Sequence, residues 1–258
     1  MINYVNFNES ELDIPLCRII TVERFFELLV NKKNTFVSPS VWEDPFEAFT
    51  SKAKIKINGK NIHSNNRSWG QCWTTRINET DAMWRIYTPS KNGVKIRTTA
   101  RKLLDSFIKS TEFIRLNKEA DQNNLFSNED LYGPNISLTL YCGRLKYLSI
   151  KKITDPVFLK KIFTDNSDNF LFIKRLEFKH ESEFRIIFEH FDHRLMDLFE
   201  PIFHYEFNFN EMIDEIVFDP RMDEILFSAY KSYVSGLGFK GKVRQSRLYS
   251  LPKYNFDL

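Results

Sequence analysis

Short segments with a two-residue hydrophobic period recur from one end of the chain to the other, and helical periods interrupt them only at irregular intervals. A doubly wound sheet needs strict strand–helix alternation, because each parallel neighbour is reached through a crossover. Here "KAKIKINGKNI" and "SWGQCWTT" both read as strands with no helix between them, and Asn58-Gly59 supplies a hairpin turn. The pattern therefore predicts an α+β fold, with antiparallel sheets and peripheral helices.

The helices stand out by their caps and stripes. "TVERFFELLVNKK" has Thr21 to cap it, Glu23 in its first turn, and Val22, Phe25, Phe26 and Leu29 on one side. "DAMWRIY" reads as a short helix or helical turn, "ARKLLDSFIKS" as a helix, and "DPVFLKKIFTDNSDNFLFIKRL" as two helical pieces broken near Asn166. A last helix covers "MDEILFSAYKSYVSGL", with Gly236 and Gly238 suited to its C-terminal end. Strands are expected in "PLCRII", "TFVSPS", "NGVKIRTT", "ISLTLYCGRLKYL" and "KVRQSRLYSL", and Asp44-Pro45 marks a turn between Trp42 and Phe46. No internal repeat or linker is evident, so residues 1–258 read as a single domain, with a polar, flexible insertion near 117–136.

Composition excludes several classes. Twenty-five Phe residues point to a core built on rings, and only 8 Gly argue against low complexity. A net charge of +3 is too small to signal nucleic-acid binding by itself. Its distribution is more telling, since Lys231, Lys240, Lys242, Arg244, Arg247 and Lys253 follow Glu224 with no acidic residue before Asp257. That end is either a solvated surface or a basic face for phosphates or an acidic partner. Cys17, Cys72 and Cys142 are odd in number and lack C-x-x-C spacing, as expected of free thiols in a reducing cytoplasm. No secretory leader or apolar run of about 20 residues is visible, so a cytoplasmic protein with no membrane contact is expected.

The most informative stretch is "FKHESEFRIIF". As a strand it places Lys179, Glu181, Glu183 and Arg185 on one face, opposite Phe178, Phe184, Ile186 and Phe188. The charged face is either solvated or an active-site wall. His180 would then face away from both carboxylates, so no metal site is expected. Phosphate-binding loops, dinucleotide fingerprints, zincin motifs and nucleophile elbows are absent from the sequence.

The ordered set "NTFVSPSVWEDPFEA", "CWTT", "MWRIYTPSKNGVKI", "FKHESEFRIIF" and "RLYSLPKY" resembles the bacterial family called domain of unknown function 2971. The resemblance runs from about Pro15 to Pro252, with Trp42-Glu43 standing where that family commonly carries Phe-Asn. More distantly the layout looks like the ADP-ribosyltransferase superfamily, which implies a split pair of antiparallel sheets and NAD consumed as a substrate. That resemblance implies roles for particular residues. Arg18 would hold the NAD phosphates, Thr74 and Thr75 would line the nicotinamide pocket, and Tyr87 would be a cofactor contact. Glu183 would stabilise the oxocarbenium-like charge, and Glu181 would orient or deprotonate the acceptor. A toxin or anti-phage effector acting on a protein or nucleic acid is the setting it implies. Each residue also has a plainer reading: Arg18 as an ion-pair partner of Glu181 or Glu183, the threonines as strand formers, Trp84 and Tyr87 as core. The alternative function is a non-catalytic binding module that meets nucleic acid or an acidic partner through its basic C-terminal surface.

Overall fold

The computed structural model describes residues 2–47, 55–57, 60–62, 67–120, 138–165, 170–190 and 201–251. In the N-terminal half the strands are β1 (Ile2–Val5), β2 (Pro15–Thr21), β3 (Lys33–Val37), β4 (Ile55–Ile57), β5 (Lys60–Ile62), β6 (Arg67–Thr74) and β7 (Gly93–Thr99). The C-terminal half adds β8 (Leu138–Arg144), β9 (Lys146–Leu148), β10 (Ile173–Arg175), β11 (Glu183–His190), β12 (Ile202–Glu206), β13 (Glu215–Phe218) and β14 (Lys242–Gln245). The longer helices are α1 (Val22–Asn31), α2 (Asp81–Tyr87), α3 (Ala100–Ala120), α4 (Pro156–Asp165) and α5 (Glu224–Gly236).

One ten-stranded sheet dominates, with the path β1-β8-β11-β6-β2-β7-β13-β14 and a branch through β3 to β12. The sheet is mixed rather than purely antiparallel, which corrects the expectation at both ends of the path. β1 lies parallel to β8, and β14 lies parallel to β13 because α5 returns the chain between them. Along one edge β6 meets β2 only at Cys17–Thr74 and β3 only at Val37–Gly70, so the sheet forks there. Its other edge pairs with β11 over the full length, from Glu183–Thr74 to His190–Arg67. β9 and β10 form a separate parallel pair, and β4–β5 a small antiparallel hairpin as expected, its Asn58-Gly59 turn lying outside the described residues.

Local chemistry sets these elements. The Thr21 hydroxyl caps α1 by accepting from the Arg24 amide at 3.4 Å, and Val22, Phe25, Leu28 and Leu29 are buried. Lys32 ends the helix in the left-handed region with φ 51°. Paired residues of β6 and β11 share a face, so Trp69, Trp73, Phe184, Ile186 and Phe188 all enter the main core. Phe188 is its hub, with ring centroids 5.0 Å from Trp69 and Phe203 and 5.2 Å from Phe36 and Phe107. On the opposite face Ile187 packs under Leu145, Leu171 and Phe172, a smaller second layer. Among the described residues no helix is long and apolar enough to cross a membrane.

Four further expectations change. Leu176–Glu181 is a 3-10 helix and β11 begins only at Glu183, so Lys179 and Glu181 do not share a strand face with Glu183 and Arg185. Ser182, left-handed with φ 46° and ψ 51°, makes the break. The second helical piece after Asn166 is a 3-10 turn, Phe170–Phe172, leading into β10. The last strand stops at Gln245. α3 extends to Ala120, and the rest of the expected insertion lies outside the described residues.

Candidate functional site

The αL turn at Ser182 reverses the chain between two glutamates, and both then reach the same lysine. Lys174 Nζ donates to Glu181 Oε2 at 2.6 Å and to Glu183 Oε2 at 3.0 Å, and it lies 3.3 Å from Glu47. Arg185, fully buried, donates its Nε to Glu183 Oε1 at 2.8 Å, its Nη1 to the Leu171 carbonyl at 2.6 Å, and its Nη2 to Glu47 and Glu183. Trp42 lies against the guanidinium, 4.5 Å from ring centroid to Cζ. Three carboxylates and two cations thus form one buried cluster, each group bonded to an opposite charge.

β6 fixes the geometry of the turn. The Thr74 hydroxyl donates to the Glu181 carbonyl at 2.6 Å, and the Thr75 hydroxyl and amide both donate to the Ser182 carbonyl, at 3.1 and 3.0 Å. The Tyr147 hydroxyl accepts from the Glu183 amide at 2.7 Å. The Tyr87 ring is 40% exposed, yet its hydroxyl reaches inward to donate to Glu181 Oε1 at 3.1 Å. These bonds satisfy a stretch of main chain that no strand ladder covers.

The cluster shifts its members. Burial acts to raise the Glu183 carboxyl, but Arg185 and Lys174 outweigh it and bring the group down to about 2, against an ordinary 4.5. Burial likewise opposes charge on Lys174 and Arg185, and the facing carboxylates Glu183 and Glu47 raise both above their ordinary values all the same. Burial raises Tyr87, with Glu181 adding to it, so the phenol stays protonated and able to donate. Burial also pushes Tyr147 up to about 12.

Glu183 is also on the wall of a cavity of about 490 Å³, which it shares with Thr75, Ser182, Tyr147 and Leu145. Four basic side chains, Arg76, Arg144, Lys179 and His180, complete the lining. Arg144 is paired with Glu11 at 2.7 Å, and Arg76 and Lys179 are exposed and have no carboxylate partner among the described residues. The cavity thus joins a basic rim to a wall residue whose carboxylate is anchored in the ion cluster behind it, which suits a ligand carrying phosphates.

The sequence-predicted residues separate into three groups. Thr75 and Glu183 line the cavity. Thr74, Glu181 and Tyr87 lie behind it, bonded to the turn and the cluster. Arg18 stands elsewhere: alternation along β2 puts it on the Leu16 face, and its guanidinium lies 5.8 Å from the Trp73 ring centroid. It pairs with neither Glu181 nor Glu183, and burial lowers its pKa. Sequence reasoning did not single out Lys174 or Glu47. The signal for Lys174 was a single run, "FLFIKRL", in which a cation follows four apolar residues and so is expected to be buried with partners.

The fold and site together define a mixed α/β protein in which a buried ion cluster backs a basic cavity. Residues 83–186 match the model of a family described as Protein of unknown function (DUF2971), which supports the resemblance seen in the motifs. The matched stretch holds Tyr87, Lys174, Glu181, Glu183 and Arg185, while Arg18, Glu47, Thr74 and Thr75 lie outside it. No curated protein and no solved structure matches the chain.

Proposed function

We propose that the chain binds NAD in the cavity beside Glu183 and consumes it in an ADP-ribosyltransferase-like reaction. One observation carries this reading: Glu183, whose carboxylate is held ionised, lines a cavity of about 490 Å³ that has a basic rim. Cavities of about 300–1,000 Å³ are the usual size for small-molecule and cofactor sites. In this reading Arg76, Lys179 and His180, which line the cavity, receive the two phosphates, and the Ser182 hydroxyl meets the ribose.

In this reaction the bond from ribose C1′ to the nicotinamide nitrogen breaks, and nicotinamide leaves neutral with the bonding pair. The acceptor's lone pair then closes on C1′, and the acceptor loses a proton to solvent. Positive charge develops on the sugar ring, next to Glu183, so a carboxylate fixed in advance by Arg185 and Lys174 favours the transition state over the ground state. Glu181 does not line the cavity; in this reading it is a positioning residue that holds Lys174 and Tyr87 in place. Arg18 has no part in it.

The test is nicotinamide release from NAD, followed by chromatography with and without a cell lysate as acceptor source. Reversing charge at the exposed rim with Lys179→Glu and Arg76→Glu is expected to reduce release by about tenfold or more while the thermal transition stays in place. No release under either condition overturns the reading.

A further inference from the structure

A second cavity, also of about 490 Å³, opens over the β2-β7-β13-β14 arm of the sheet. Its floor is set by register: Cys17, Arg97 and Glu215 stand side by side across β2, β7 and β13, and Lys95 lies two residues along β7 from Arg97. β14 adds Lys242 and Arg244, and Arg247 follows it. The segment after β6 separates the two cavities, with Thr75 and Arg76 lining the first and Ile77, Asn78 and Glu79 the second.

The charge here is unbalanced. Lys95, Arg97, Lys242, Arg244 and Arg247 line the space against only Glu79 and Glu215, an excess of three positive charges. The two carboxylates are already shared. Glu215 takes Arg244 at 2.9 Å, Arg97 at 3.3 Å and Lys242 at 3.7 Å, while Glu79 takes Arg244 at 3.0 Å and the Ser246 hydroxyl. Lys95 is 6% exposed and donates only to the Ile77 carbonyl, so a buried ammonium faces the cavity with no carboxylate of its own among the described residues. Burying an ammonium is costly unless it is paired, and an anionic ligand would supply the missing partner. Arg247 is exposed and likewise has no carboxylate partner among the described residues. Two apolar side chains stand at the rim, Ile77 at 45% and Leu248 at 38% exposure. Lys95 and Arg97 at the floor, with Arg247 and apolar surface at the mouth, fit a phosphate attached to a flat ring better than a bare anion.

We propose that this cavity is a nucleotide-binding site, with the phosphate seated on Lys95, Arg97 and Arg247 and the base packed between Ile77 and Leu248. It is independent of the NAD reading, because different substitutions disable the two cavities.

The experiment is calorimetric titration of the whole chain with AMP and with inorganic phosphate at low salt. AMP is expected to bind saturably with a Kd below about 1 mM and at least about tenfold more tightly than phosphate. Arg247→Glu, on the surface, and Lys95→Met are each expected to weaken AMP about tenfold or more, while Lys179→Glu in the first cavity leaves it unchanged. Arg247→Glu keeps the test decisive if Lys95→Met fails to fold. No saturable AMP binding, phosphate bound as tightly as AMP, or a loss with Lys179→Glu but not with Arg247→Glu would overturn the proposal.

Discussion

Glu183 bonds through both carboxylate oxygens to the two cations that face it, so its first role is in holding the site together. Glu183→Gln leaves Lys174 and Arg185 buried with too little negative charge, and by analogy with broken buried pairs should cost about 3–5 kcal/mol in chemical denaturation at neutral pH. Any activity loss in that variant must accordingly be read beside its stability, which is why Arg76 and Lys179 are the cleaner probes. Gly70 is a second residue that admits no change. A Cβ there would stand 2.6 Å from Ile187 Cδ1 and 2.7 Å from the Trp42 ring, the same ring that covers Arg185. Gly70→Ala should destabilise by about 1–3 kcal/mol, since a packed indole and a buried isoleucine cannot both retreat, and equilibrium unfolding in urea would measure it. The Glu183–Arg185 pair was legible from alternation alone, because neighbours on a strand face are fixed by the pleat. Lys174 and Glu47 come from other parts of the chain, and no local period points to them.

At the scale of elements, the segment around the Asp44-Pro45 turn is the other half of the charge network. Asp44 accepts from Arg175 Nη2 at 3.2 Å, Phe46 lies 5.3 Å beneath the same guanidinium, Glu47 pairs with Lys174 and Arg185, and Trp42 covers Arg185. The motifs "VWEDPFEA" and "FKHESEFRIIF" were both visible in the sequence; that they form one assembly was not, because ion pairing across such a separation leaves no periodic trace. A double-mutant cycle with Asp44→Ala and Arg175→Ala should give a coupling of about 0.5–1.5 kcal/mol in denaturation, and additivity would mean that the segment docks through Glu47 and Trp42 alone. The turn at Ser182 is equally specific. Its positive φ was hidden because Ser-Glu within an alternating run reads as strand, and only the threonine bonds from β6 reveal why the run breaks. Ser182→Val should cost about 1–2 kcal/mol by thermal unfolding, as a β-branched residue strains in the left-handed region.

Across the whole molecule, β11 holds an aromatic core on one face and an ion cluster on the other, and the two faces respond to different conditions. The rings that meet Phe188, those of Trp69, Phe36, Phe107 and Phe203, do not titrate, whereas the cluster depends on Glu183 staying ionised. The folded carboxyl is lowered to about 2 from its ordinary 4.5, so its contribution is fully present above about pH 4.5 and drains away as pH falls toward 2. A depression of that size corresponds to about 3 kcal/mol. Urea unfolding at pH 6, 4.5 and 3 should therefore show stability falling through that window. The decisive comparison is Glu183→Gln, which is less stable at pH 6 but should lose less on acidification, because it has no carboxyl to protonate at that position. Equal losses in the two proteins would show that acid acts elsewhere, through exposed pairs such as Asp13–Arg101 and Glu11–Arg144, and that the buried cluster does not govern how this fold meets acid.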